Sequence, residues 1–174
     1  MIGKSLRRLV IAAALPVLML SSAQAALADS FTILPAGLAC PDFNLGLAAT
    51  GGNLQTKDFV DDAGNPVKSI TAGKGVVLTY TNYGPDPLPP VPVAGKSITI
   101  RTDGSVAWTK FNPDGTSTVT ATGHNGLIMF PTDVPAGPTT TQYIGRIVYN
   151  VAANGVFTLV STAGSQRDIC AELG

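Results

Sequence analysis

The sequence predicts an all-β protein, an antiparallel β-sandwich of about eight to ten short strands, on three observations. Apolar and polar residues alternate with a period of two in most segments from residue 43 onward. Glycine-marked turns separate these segments, and none shows the 3.6-residue period of a helix. A closed β-barrel is the alternative architecture, because short strands with frequent turns build both folds.

The alternating segments identify individual strands. In 118–122, valine and alanine alternate with threonine, and in 143–151 tyrosine, isoleucine and valine positions separate into two faces. Residues 126–130, GLIMF, form a continuous apolar run. Such a run predicts a strand that is covered on both faces.

Four turn signals divide the chain, at 61–66, 103–104, 112–115 and 154–155. In the clearest of them, NPDG at 112–115, asparagine opens the turn, proline sets φ and glycine accepts a positive φ. Each signal predicts a hairpin between two strands. The proline-rich stretches 84–95 and 131–138 are predicted loops, because proline cannot donate a hydrogen bond to a strand ladder.

The first 28 residues have the layout of a cleavable signal-peptide helix. Basic residues lie within 4–8, an apolar run occupies 9–20, and two A-x-A patterns follow. We expect cleavage after Ala28, with Ala25 as the alternative. A retained membrane anchor is disfavoured, because a spanning helix needs about 20 mostly apolar residues and the dense apolar run is shorter.

The chain from 29 to 174 has the length of one ordinary domain. Without the three basic residues of the leader, eight basic residues face eleven acidic ones. This weak, scattered charge makes nucleic acid an unexpected partner, and no stable membrane insertion is expected after cleavage. We therefore predict a single secreted β domain that acts outside the cell.

Cys40 and Cys170 lie near opposite ends of the predicted mature chain. Export takes them into an oxidising compartment, where an even count favours a disulfide. A redox pair is the disfavoured alternative, because the close C-x-x-C spacing is absent. Closure of so long a loop stabilises a fold by at most about 4–5 kcal/mol on the chain-entropy model.

His124 is the only histidine, so any catalytic set that needs an imidazole must use it. It lies in TGHNG at 122–126, which predicts a glycine-flanked turn, and Asp133 is a nearby carboxylate in the sequence. No G-x-S-x-G nucleophile motif occurs. We interpret His124 as a turn residue making a local hydrogen bond, and keep a hydrolase centred on His124 and Asp133 as an alternative.

The sequence predicts no metal or cofactor. One histidine and two distant cysteines cannot supply a zinc site. Asp61, Asp62 and Asn65 cluster oxygen atoms, but they lack the spacing of a calcium loop, and an Asx turn explains them. The segment 95–97, GKS, resembles the end of a phosphate loop, although Pro90 stands where that motif needs glycine.

Trp108 is the only tryptophan and the strongest candidate for stacking on a sugar ring. The period of two places Val106 and Lys110 on its face and Phe111 on the opposite face. Lys110 indicates that one end of the indole reaches solvent. Packing in the core is nevertheless the favoured interpretation, as for most large aromatic side chains.

Five segments of the mature chain share a pattern with known proteins. They are PAGLACPDF at 35–43, NPDGT at 112–116, TGHN at 122–125, FPTDVPAGP at 130–138 and DIC at 168–170. In these segments the chain resembles a group of small secreted proteins from actinobacteria, over essentially the whole mature length. The resemblance implies export and a bacterial source. No activity or ligand is assigned to that group, so the resemblance implies no site residue.

The favoured function is a non-enzymatic extracellular domain that binds a surface, whose partner is a glycan or a protein. Loops at the ends of a β scaffold commonly carry recognition, so 84–95 and 123–138 are the first candidate regions. The hydrolase centred on His124 is one alternative. A structural subunit of a secreted assembly is the other, and it predicts a large apolar patch or an open sheet edge.

Overall fold

The computed structural model describes residues 30–174, so the predicted signal peptide at 1–28 lies outside the described residues. The described part contains ten strands and one short helix. They are β1 (Ser30–Leu34), β2 (Leu45–Thr50), β3 (Asn53–Val60), β4 (Pro66–Lys74), β5 (Val77–Asn82), β6 (Ser97–Arg101), β7 (Val106–Phe111), β8 (Ser117–Met129), β9 (Thr139–Val151), β10 (Phe157–Asp168) and α1 (Ile169–Leu173).

The strands form two antiparallel sheets. The smaller sheet has four strands in the order β1-β2-β5-β6, and the larger has six in the order β10-β9-β8-β7-β4-β3. Within residues 30–174 no hydrogen-bonded ladder joins one sheet to the other, so the alternative of a closed barrel is wrong. The fold is a β-sandwich, as the alternation predicts.

A first core lies where the smaller sheet packs against one end of the larger sheet. Its buried members come from β1, the loop that follows it, β2, β5, β6 and α1: Leu34, Ala39, Cys40, Phe43, Leu45, Leu47, Leu78, Tyr80, Ile100, Ile169 and Leu173. From the larger sheet, Ile128 packs against this core. The neighbouring Leu127 and Met129 belong to a second core. The run at 126–130 is therefore covered on both faces, as predicted.

A row of glycines crosses the larger sheet. Gly123 of β8 pairs with Gly145 of β9, which pairs in turn with Gly164 of β10. Their φ values are 89°, 137° and 107°, a range that side chains other than glycine rarely adopt. A Cβ atom at any of the three would overlap backbone atoms of the adjacent chain segment. The row marks a bend in three neighbouring strands.

The bend folds the larger sheet over itself. Phe157 lies across β9 from Ser117, the first residue of β8. The last residue of β8 immediately precedes Phe130, and a straight strand of 13 residues would separate its two ends by about 43 Å. One carboxylate, that of Asp133, nevertheless accepts hydrogen bonds from the amides of both Phe130 and Phe157.

The second core fills the concave side of the folded sheet. Its buried members are Val119, Ala121, Leu127, Met129, Tyr143, Ile147, Tyr149 and Phe157, which lie on both sides of the glycine row. Tyr149 and Phe157 stack with their ring centroids 5.3 Å apart. Burial raises the pKa of Tyr149 to about 12, so its hydroxyl stays neutral at physiological pH.

The disulfide between Cys40 and Cys170 is confirmed. It spans 130 residues and joins the loop after β1 to α1, with a Cα–Cα distance of 5.4 Å. The helix is absent from the sequence prediction, because five residues are too few to show a helical period. Asp168 caps α1 by accepting a hydrogen bond from the Ala171 amide at 3.0 Å.

Three of the four predicted hairpins are confirmed. The turns at 61–66, 112–115 and 154–155 connect β3 to β4, β7 to β8 and β9 to β10 within one sheet. The prediction for Asp103-Gly104 is wrong, because this turn connects β6 of the smaller sheet to β7 of the larger one. Asp-Gly reverses the chain in both situations and does not specify the partner of the next strand.

Removal of the disulfide by the double substitution Cys40→Ser and Cys170→Ser is expected to lower the free energy of unfolding by about 4 kcal/mol. The physical reason is the freedom that the unfolded chain regains when a loop of 130 residues is no longer closed. Urea unfolding followed by circular dichroism measures the change. An unaltered midpoint for the double variant would show that the bridge contributes no stability.

Gly145→Ala is expected to destabilise the protein by about 3 kcal/mol, because the new Cβ combines an unfavourable φ with overlap of the Ala163 carbonyl. Gly64→Ala is the matched control. Gly64 also has a positive φ, 85°, but a Cβ there meets nothing within 4 Å, so about 1 kcal/mol is expected. Equal losses for the two variants in urea unfolding would contradict the tight bend.

Candidate functional site

His124 lies in the interior of β8, where it pairs with Ile144 of β9. The prediction of a turn at this position is wrong. Gly123 lies at the bend within β8, where the strand continues and the chain does not reverse direction. The Ser105 hydroxyl accepts a hydrogen bond from the His124 amide at 3.0 Å and donates one to the His124 carbonyl at 2.6 Å. Both bonds are made by the backbone of His124 and not by its imidazole.

Asp133 has a structural position at the far end of β8. Its side chain is buried, with 3% of the residue exposed. Oδ2 accepts a hydrogen bond from the Phe130 amide at 2.7 Å, and Oδ1 accepts one from the Phe157 amide at 2.9 Å. The carboxylate therefore joins the end of β8 to the start of β10.

The structure does not bring His124 and Asp133 together. His124 precedes Phe130 by six residues of regular strand, a separation of about 20 Å along β8. Since the Asp133 carboxylate is hydrogen-bonded at Phe130, it is out of hydrogen-bond reach of the imidazole. The dyad that the hydrolase hypothesis needs is not formed.

Trp108 lies on the outer side of the larger sheet. It is half-buried and belongs to neither core, whereas its neighbour Ala107 packs against the second core. The expectation that Trp108 packs in the core is therefore wrong. Residues of antiparallel strands that pair directly share a face, and Trp108 pairs with Ile70 on one side and Thr120 on the other.

Following this pairing across five strands defines a surface that we call the Trp108 face. It consists of Lys57 and Phe59 of β3, Lys68 and Ile70 of β4, Val106, Trp108 and Lys110 of β7, Thr118, Thr120 and Thr122 of β8, and Arg146, Val148 and Asn150 of β9. Trp108 stands on the middle strand of the five. The charged residues around it are exposed to solvent.

The charge on the Trp108 face has one sign. Four of the eight basic residues after position 28 lie on it, Lys57, Lys68, Lys110 and Arg146, and none of its residues is acidic. Lys68 pairs directly with Lys110, which puts two like charges opposite each other. Like charges directly opposite each other destabilise a pair of strands.

Phe59 adds an aromatic ring beside this cluster. The ammonium nitrogens of Lys57 and Lys68 lie 5.2 and 5.9 Å from the centroid of its ring. Each distance suits an exposed cation–π contact, worth about 0.5–1 kcal/mol. Phe59 itself is 37% exposed. The edge of the face next to β3 therefore combines an exposed aromatic ring with two cations.

Hydroxyl groups line the opposite side of Trp108. Thr118, Thr120 and Thr122 occupy alternate positions of β8 on the Trp108 face. The Thr118 hydroxyl donates a hydrogen bond to Asn150 Oδ1 at 2.8 Å. The Thr122 hydroxyl donates a hydrogen bond to the Val106 carbonyl at 3.5 Å, so the threonines place hydroxyl oxygens beside the half-buried indole.

The other candidate ligand positions have structural roles. Asp61 Oδ1 accepts hydrogen bonds from the Ala63 and Asn65 amides at 3.0 and 2.8 Å, as in an Asx turn. Hydrogen bonds from Asn65 and the turn amides lower the pKa of Asp61. In the chain from residue 30 onward, no three histidine, cysteine, aspartate or glutamate side chains converge as metal ligands would.

A cavity of about 360 Å³ lies beside the disulfide. Pro41, Asp42, Phe43, Pro138 and Asp168 contribute to its walls. The Asp168 carboxylate already caps α1. The cavity walls are mainly apolar and supply no imidazole or lysine amine for catalysis.

Two buried hydrogen bonds connect the larger sheet to the smaller sheet and to the loop after β1, and they have a structural role. The Tyr80 hydroxyl donates to Gln142 Oε1 at 3.3 Å, and the Thr140 hydroxyl donates to the Ala39 carbonyl at 2.9 Å. Burial raises the pKa of Tyr80 well above its usual range, so the phenol stays neutral. These groups fix the packing of the sheets.

Comparison with known proteins finds no matching family model, no curated relative and no similar solved structure. No helix in residues 30–174 is long and apolar enough to cross a membrane.

Asp133→Ala is expected to lower the free energy of unfolding by about 2–4 kcal/mol, because two backbone amides lose their acceptor. Asp114→Ala is the control, since Asp114 is an exposed turn residue whose carboxylate binds Thr116. The control is expected to lose about 1 kcal/mol or less. Equal losses in urea unfolding would contradict the role of Asp133 as a clamp.

Proposed function

We propose that this protein is a secreted, non-enzymatic binding domain that holds an extracellular glycan on the Trp108 face. One observation carries the proposal. The only tryptophan of the sequence lies half-buried on the middle strand of the Trp108 face, and the charged residues of that face are exposed to solvent. A large aromatic side chain at such a position loses contact with water when it binds a ligand, which favours association.

The chemistry around Trp108 suits a sugar. The apolar C–H faces of a pyranose ring stack on an indole, and its hydroxyls require hydrogen-bond partners at the side. The threonines of β8 lie beside Trp108, and Lys110 follows two residues along β7 on the same face. Stacking and hydrogen bonding are thus available in one place.

The scaffold keeps this surface rigid before binding. Trp108 lies on a strand with β4 on one side and β8 on the other, and the second core supports the sheet from behind. A binding residue on a paired strand loses less conformational entropy than one on a free loop. This supports recognition by the sheet face in addition to the loops at 84–95 and 130–138, since the candidate region 123–138 is strand as far as Met129.

Export of the protein is part of the proposal. The leader pattern of residues 1–28 and the disulfide between Cys40 and Cys170 both support it, because disulfides persist mainly in oxidising compartments. The resemblance of five sequence segments to small secreted actinobacterial proteins implies the same location. An extracellular site makes cell-surface and environmental polysaccharides available as partners.

Trp108→Ala is expected to weaken binding to polysaccharide at least about tenfold, because a stacking contact of about 1.5 kcal/mol is lost. Affinity electrophoresis of the mature protein in gels containing soluble polysaccharides measures the change. Circular dichroism and urea unfolding establish that the variant is folded.

Phe31→Ala is the matched control for this experiment. Phe31 is 60% exposed on β1 of the smaller sheet, so its removal deletes an exposed aromatic ring away from the Trp108 face. Its variant is expected to keep wild-type affinity. Retention of every tested polysaccharide by the Trp108 variant at wild-type strength would refute the assignment of this face.

A further inference from the structure

We infer that the glycan held by the Trp108 face is acidic, a polysaccharide bearing carboxylate or sulfate groups. This inference rests on the function proposed above and adds the chemical class of the ligand. The acidic class of the ligand follows from the basic residues of the Trp108 face, whereas the binding of a glycan follows from Trp108 itself. The two therefore depend on different side chains and can fail separately.

Positive charge is concentrated on the Trp108 face. After position 28 the chain holds eight basic and eleven acidic residues, so a random surface would be slightly negative. The Trp108 face instead has four basic residues and no acidic one. A one-sign patch on a chain of opposite net charge attracts ligands by local complementarity.

Like charges are also grouped within the patch, and no acidic residue of the Trp108 face accompanies them. Lys68 lies directly opposite Lys110, and the ammonium groups of Lys57 and Lys68 both approach the Phe59 ring. The ion pairs of the described residues are made elsewhere, by Arg101 with Asp103 and by Arg167 with Glu172. A carboxylate or sulfate bound near Lys68 and Lys110 would be attracted to both cations.

The basic residues lie on both sides of the Trp108 indole. Lys57 and Lys68 lie on one side of Trp108 and Arg146 on the other. The distance from β3 to β9 is about 19 Å, four strand spacings, so one small anion cannot reach both sides. A chain of sugars that crosses the strands contacts the lysines, stacks on Trp108 and reaches Arg146.

The same arrangement favours a polysaccharide over other polyanions. Duplex DNA has one charge per about 1.7 Å of its axis, and an anionic bilayer is similarly dense in charge. Either would present many more anions than the four cations of the Trp108 face can pair with. An acidic polysaccharide carries widely spaced charges and exposes ring faces for stacking.

The test uses two cellulose derivatives with the same backbone, carboxymethylcellulose as the acidic probe and hydroxyethylcellulose as the neutral one. The mature wild-type protein is expected to bind the acidic polymer at least about tenfold more tightly at 20 mM salt, because attraction to four cations is added to stacking. This preference is expected to shrink as salt rises to 1 M, where the Debye length falls to about 3 Å.

Charge-neutralising variants locate the effect. Lys68→Gln with Lys110→Gln is expected to lose the preference for the acidic polymer and to retain the weaker binding to the neutral one. The matched control is Lys96→Gln with Arg101→Gln, which removes the same formal charge beside and within β6 of the smaller sheet. The control variant is expected to keep the wild-type preference.

The outcomes separate the two proposals. Equal binding of both polymers, lost in Trp108→Ala, would overturn the acidic class and leave the proposed function intact. Failure to retain any polysaccharide would overturn both. Tighter binding to duplex DNA or to anionic phosphatidylglycerol vesicles than to carboxymethylcellulose, independent of Trp108, would also overturn the inference, because the lysines would then act as a general polyanion patch.

Discussion

The larger sheet encloses a core of its own because three neighbouring strands bend at one row of glycines. Gly123, Gly145 and Gly164 adopt positive φ values and leave no room for side chains at the bend. The Asp133 carboxylate then binds the amides of Phe130 and Phe157 and holds the two ends of the folded sheet together. Without this fold, the apolar side chains of the second core would lie on an open surface.

The bend determines which surfaces are left for function. Because one side of the larger sheet is used internally, its opposite side along β3, β4, β7 and β8 faces solvent. The smaller sheet, α1 and the disulfide cover only the end of the larger sheet that contains Ile128 and Gln142. Trp108 and the lysines beside it therefore lie on a sheet face that is backed by the second core, and their side chains belong to neither core.

Only part of the Trp108 face could be predicted from the sequence. Alternation in 106–111 correctly placed Trp108, Val106 and Lys110 on one face and Phe111 on the other. It did not tell which face is outside, and the usual burial of tryptophan favoured the wrong one. The grouping of Lys57, Lys68 and Lys110 is not visible in the sequence either, because register sets the cross-strand neighbours, and the paired Lys68 and Lys110 lie 42 residues apart.

The sequence by itself determined the class of fold, most strand positions, three hairpins and the only possible disulfide, because these follow from local periodicity, turn chemistry and a count of two cysteines. Only the tertiary structure decided that β6 and β7 belong to different sheets and that His124 lies within a strand. It also decided that the Asp133 carboxylate accepts hydrogen bonds from backbone amides. The physical reason is that period-two alternation distinguishes the two faces of a strand. It carries no information about which neighbour covers each face, and that choice depends on contacts between distant segments.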